Sequence, residues 1–126
     1  MSSLRYPFAW IGIVVQSIAL DYGPRGVRAN CLCPGWIRTE MADRAMEALA
    51  EELGTVPDEA HRIAVAEVPA RRMGTTDEVA DAVAWLVSPG AAYVNGAVIT
   101  IDGGAAIVDA GSLAFADAPP PPAPRA

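Results

Sequence analysis

Lysine is absent from this chain of 126 residues, and all nine basic side chains are arginine: Arg5, Arg25, Arg28, Arg38, Arg44, Arg62, Arg71, Arg72 and Arg125. No lysine ammonium is therefore available to lower the pKa of a neighbouring hydroxyl. Histidine is nearly absent too. His61 has no second histidine nearby and no CxxC pair, so the ligand count excludes a metal site; it reads as an exposed helix residue. The arginines are scattered among fifteen carboxylates with a net charge of -6, which leaves no basic stripe to hold nucleic-acid phosphates. No unbroken apolar run is long enough to span a bilayer. Cysteine occurs twice, at Cys31 and Cys33. Two residues apart on a predicted strand, these thiols point to one face but are poorly placed to bond each other without strain. They read as buried, inert thiols suited to a reducing cytosol.

What is present is enough for a core. The hydrophobic fraction is 52%, and the length bounds the chain to one domain at most. From about Phe8 to Tyr22 the sequence predicts a helix, apolar nearly all round, ended by Gly23-Pro24. Val27 to Cys33 reads as a short strand stopped by Pro34-Gly35. Thr39 caps a predicted helix whose inward face is Ala42, Ala45, Met46, Leu49 and Leu53, with Gly54 as its C-terminal cap. A second short helix is expected from Asp58 to Glu67, with Asp58 as cap and Pro69 as stop. Thr75-Thr-Asp-Glu78 is a capping box opening a helix with a Val79, Ala82, Val83 and Leu86 stripe, ended by Ser88-Pro-Gly90. Ala97 to Ile101 is a near-continuous apolar run of the kind buried on both faces of a sheet. Two short strands about 60 residues apart, with helices between, imply a parallel crossover.

Four segments carry a resemblance: Ser17 to Asn30, Pro34-Gly-Trp-Ile-Arg-Thr39, Val68 to Gly74 leading into Glu78-Val-Ala80, and Asn95-Gly96 leading to Ile101-Asp-Gly-Gly104. Together they resemble the C-terminal half of a short-chain dehydrogenase/reductase. The resemblance implies an α/β fold: the C-terminal part of a Rossmann-like, doubly wound parallel sheet, about two strands with three to four helices. It implies NAD or NADP as cofactor, with Pro34, Gly35, Ile37 and Thr39 in the loop that holds the carboxamide end of the nicotinamide. It also implies that the helix pair between Thr39 and Glu67 is a substrate lid, lined by Met41 and Met46. The family's catalytic Tyr-x-x-x-Lys pair is missing; counting back from Ser17, its positions fall on Leu4 and Phe8, and Tyr6 has Trp10 four residues on. The family's Gly-rich pyrophosphate turn is missing as well. No catalytic residue is therefore assigned.

The resemblance divides the chain into an atypical segment 1–15, a half-domain 16–104 and a Pro/Ala-rich tail 105–126, expected to be disordered. Arg5 followed by Tyr6 to Val15 imitates a secretory signal, but cleavage near Ala19 would remove part of a helix the fold needs. A cytoplasmic location is expected. Two readings follow: a piece of an NAD(P)-dependent oxidoreductase inactive by itself, or a non-catalytic interaction protein. In either, self-association or pairing with an intact subunit would use the Thr76–Ser88 helix and the last strand, with Trp85 and Tyr93 as interface anchors or as ordinary core. Arg71 and Arg72 are expected at the surface, with no second cationic cluster joining them.

Overall fold

The structure, a computed structural model, describes residues 7–108, with side chains from Trp10 onward. The first six residues and the tail from 109 lie outside that span. A helix α1 (Pro7–Tyr22) runs into a 3-10 turn (Gly23–Arg25), closed by Gly26 at φ 80°. Strand β1 (Cys31–Pro34) follows, then helices α2 (Glu40–Leu53), α3 (Pro57–Ala64) and α4 (Thr76–Val87), and strand β2 (Val98–Ile101). The two strands pair in parallel, as the spacing of the two apolar runs predicts, with Cys31 opposite Val98 and Pro34 opposite Ile101. Among the described residues no helix is long and apolar enough to cross a membrane.

The pleat sorts the helices. Gly12 of α1 lies against Val98, since a Cβ there would stand 3.3 Å from its side chain. Val98 is in register with Cys31, so α1 covers the face shared by Cys31 and Cys33. Leu32, on the opposite face, shares a cavity with Val83 and Leu86 of α4. Helices therefore flank both faces of this α/β unit, but each buries little: Ala19 is the buried apolar side chain of α1 and Leu86 that of α4. The main core lies elsewhere, where Ala42, Met46 and Ala50 of α2 meet Ala60 of α3 and Val65, Val68 and Met73.

Several expectations are corrected. β1 begins at Cys31, not Val27, because side chains interrupt the main-chain pairing ahead of both strands: Ala29 N donates to Asn95 Oδ1 at 2.9 Å, and Ala97 N to Asn30 Oδ1 at 3.0 Å. On α2 the inward stripe is Ala42, Met46, Leu49 and Ala50; Ala45 and Leu53 are exposed. α3 is capped at Val56 with Pro57 in its first turn, not by Asp58, and it ends at Ala64. Proline's fixed φ suits that position. β2 is not buried on both faces, since Val98 is 46% exposed. Residues Ala105–Ile107 form a 3-10 turn, held by Asp102, whose carboxylate accepts from Gly104 N at 3.0 Å and Ala106 N at 2.7 Å.

Candidate functional site

The site sits at the carboxyl end of β1, where open parallel sheets take their ligands. Pro34 closes the strand and Gly35 turns the chain sharply against β2: Gly35 N donates to Ile101 O at 3.0 Å, and a Cβ at Gly35 would stand 2.7 Å from Asp102 Cβ. Only glycine fits that approach. The next residues form a parallel bridge between Ile37 and Gly74, in which Gly74 N donates to Trp36 O at 2.9 Å and Arg38 N to Gly74 O at 2.8 Å. A parallel bridge of that pattern leaves the N–H and C=O of Ile37 on the side away from Gly74. Neither takes a hydrogen bond among the described residues.

Pro34, Gly35, Trp36 and Ile37 line an apolar cavity of about 480 Å³ with Met41 and Ala42 of α2 and Thr76 and Val79 of α4. Three of the four residues singled out in the sequence thus share one cavity. Thr39 stands beside it as the N-cap of α2, its hydroxyl accepting from Ala42 N at 3.2 Å. Of the two methionines expected to line a lid, Met41 lines the cavity, whereas Met46 is 3% exposed and belongs to the core.

Helices α2 and α3 are fastened to this loop. Asp43 Oδ1 is buried between Arg38 Nε at 3.2 Å and His61 Nε2 at 3.3 Å, in ion-pair range but without hydrogen-bond alignment to either. His61 Nδ1 lies 3.3 Å from Met73 Sδ. His61 is therefore not the exposed helix residue the sequence suggested: its side chain is 11% exposed and joins α3 to α2. On the other side, Arg72 donates to both oxygens of Glu78, at 2.9 and 2.6 Å, and Glu78 also accepts from Thr75 N at 2.8 Å in the capping box. The Arg72 guanidinium and the Thr75 N–H together hold the Glu78 carboxyl at a pKa of about 2. The expectation that no further cations join Arg71 and Arg72 fails. Arg38 and Arg62, distant in sequence, line one cavity of about 350 Å³ with them. Only folding brings α3 and the 71–73 turn together, so no spacing signal announced it. Trp85 and Tyr93 are exposed at 47% and 103%, so neither is core.

Residues 9–106 match the family model for enoyl-(acyl carrier protein) reductase. Protein MoaE of Klebsiella aerogenes is 48% identical over 108 residues, which are 86% of this chain and 42% of that protein. A short chain dehydrogenase family protein from Francisella tularensis superposes with a TM-score of 0.74 at 30% identity, over 79% of this chain and 41% of that one. The L-sorbose reductase of Gluconobacter frateurii, solved with NADPH and L-sorbose, gives 0.70 at 25% identity, over 76% and 37%. The chain spans about two fifths of the length of these relatives. With the family model covering most of the chain and the half-sheet, loop and capping box in place, the chain belongs to the short-chain dehydrogenase/reductase family of oxidoreductases.

Proposed function

We propose that this chain is the C-terminal portion of an NAD- or NADP-dependent short-chain oxidoreductase. In this reading it forms the carboxamide end of the nicotinamide site together with the substrate lid, and it performs no hydride transfer by itself. The observation that carries the reading is the uncommitted backbone pair of Ile37, beside an apolar cavity at the carboxyl end of a parallel strand. An amide group presents one donor and one acceptor face, and a free N–H next to a free C=O complements both. The Thr39 hydroxyl accepts from Ala42 N and keeps its own hydrogen to donate. Pro34 and Gly35 hold this backbone in place by their fit against Ile101 and Asp102. Nicotinamide, when bound, exchanges a hydride with an alcohol or carbonyl carbon. The residues here fit that end of the cofactor alone, because the chain has neither lysine nor a Gly-rich turn ahead of β1. Its two free thiols suit the cytoplasm.

The test is an amide-resolved NMR titration of the chain with NADH and, separately, with ADP-ribose, which lacks the nicotinamide. NADH is expected to shift the amides of Ile37 and its neighbours weakly and saturably, and ADP-ribose to leave them unmoved. Equal shifts from both ligands, or none from either, would overturn the site assignment. Turnover that scales with this chain in a reductase-free preparation would overturn the inactivity. A second reading, a non-catalytic protein that associates with itself or with intact family subunits, is favoured by the exposed Val83, Trp85 and Val87 on the Thr76–Ser88 helix, Tyr93 beyond it and Val98 of the last strand. Co-purification with an intact family member, weakened by Trp85→Ala, would support it; no association with any such subunit would remove it.

A further inference from the structure

Cys31 and Cys33 belong neither to the nicotinamide loop nor to the main core, yet the fold brings them together. Both are free thiols on the α1 face of β1, with Sγ atoms 3.7 Å apart. Cys31 is buried and Cys33 is half-buried, so Cys33 is the more accessible thiol. We propose that Cys31 and Cys33 are a two-thiol chelating site for a soft, thiophilic centre that takes two sulfurs from the protein, of the class of monosubstituted trivalent arsenicals.

The geometry disfavours the two commonest alternatives for such a pair. A disulfide would need the sulfurs to close from 3.7 Å to about 2.05 Å. Strand residues two apart have Cα atoms roughly 6.6 Å apart, near the upper limit for a bridge, so closure would distort β1. A single atom bonded to both sulfurs needs far less movement: the sulfur–sulfur edge of a tetrahedral thiolate site is roughly 3.8 Å, and a pyramidal trivalent centre, with its narrower angle, needs only a somewhat shorter one. A structural zinc ion requires four protein ligands, and no group of three or more Cys, His, Asp or Glu that could hold a metal occurs among the described residues. A monosubstituted arsenical requires only two, because its third position carries its own carbon. Burial, the hydrogen bond to Cys31 and the charge on Cys31 all push the Cys33 thiol up.

In the reaction two S–H bonds break and two As–S bonds form. The arsenical oxygen leaves as water with the two thiol hydrogens, and arsenic stays trivalent throughout. The inference does not depend on the oxidoreductase reading.

The test is incubation of the chain with phenylarsine oxide, read by intact mass and free-thiol titration. One adduct per chain, with loss of one water and of both thiols, is expected. It should survive excess glutathione and be stripped by a dithiol. In Cys31→Ser and Cys33→Ser the adduct should be held more weakly by about a hundredfold or more, the usual gain from a second tethered contact. The wild-type unfolding midpoint should rise with the arsenical, because a ligand of the folded strand stabilises it. Alanine variants serve the same comparison if a serine unfolds the strand. An adduct as easily stripped from the wild-type chain as from the single variants would overturn the proposal. So would a midpoint that falls with the arsenical, which would place binding in the unfolded chain.

Discussion

Two glycines in this chain are required for opposite reasons, and replacing each with alanine separates them. Gly54 closes α2 at φ 64° with nothing within 4 Å of where a Cβ would sit. Its cost on substitution is conformational alone, about 1 kcal/mol for an L-residue in the left-handed region. Gly35 has no such φ, but its Cβ would stand 2.7 Å from Asp102 Cβ and 2.9 Å from Asp102 Cα. Reaching ordinary contact requires a displacement of about 0.7 Å, and the obstacle is backbone rather than a flexible tip. Overpacking of that kind costs about 1–3 kcal/mol. It must also act locally, by prising the end of β1 from β2 where Gly35 N donates to Ile101 O. Urea unfolding followed by circular dichroism should give Gly54→Ala a small loss with the Pro34–Thr39 amides unshifted. Gly35→Ala should give an equal or larger loss with those amides displaced and the NADH response at Ile37 gone. Unchanged loop amides in Gly35→Ala would refute the claim that contact with Asp102 sets the loop.

Three further predictions concern stability. Arg71 has φ 55°, alone among the described non-glycine residues in the left-handed region, so Arg71→Gly should stabilise the fold by roughly 0.5–1 kcal/mol in urea titration. Met46→Ala opens a cavity in the core between α2, α3 and Met73 and should cost about 2–4 kcal/mol, read as a lower urea midpoint. Glu78 titrates at about 2 when folded, against about 4.3 in an unfolded chain. A depressed carboxylate stabilises above its unfolded pKa, and that contribution is lost as pH falls from about 4.3 through about 2. Acid unfolding of Glu78→Gln should therefore lose part of its steepness in that window, and an unchanged profile would deny the Arg72–Glu78 contact its role.

Local signals were legible wherever one residue's chemistry decided the outcome. The Thr75–Glu78 capping box, the Thr39 cap, the Gly54 terminus and the Gly23-Pro24 stop all form as the sequence predicts, because each depends on neighbours within four residues. The Asp58 cap failed for an equally local reason: Pro57 takes the first helical position and moves the cap two residues earlier, to Val56. The start of β1 failed through distant partners, since Asn95 and Val94 take up the polar groups around Ala29 and Asn30 from 64 to 66 residues away. His61 failed the same way. Its spacing on α3 gave no hint of Asp43 on α2 or Met73 beyond it.

For the candidate site, the sequence supplied the loop Pro34, Gly35, Ile37 and Thr39, and its family resemblance supplied what such a loop does. The cavity that three of these line also needs Met41 and Ala42 from one helix and Thr76 and Val79 from another. Periodicity places each on its own helix, but contact across elements depends on how those helices dock. By itself the sequence determined the order of elements and most of their caps, because these follow from residue identity and short spacing. Only the tertiary structure decided that Ile37 bridges Gly74, that Arg38 and His61 share Asp43, and that four arginines line one cavity. Those contacts join residues up to 37 positions apart, and packing of the core around Met46, rather than local propensity, brings them within reach.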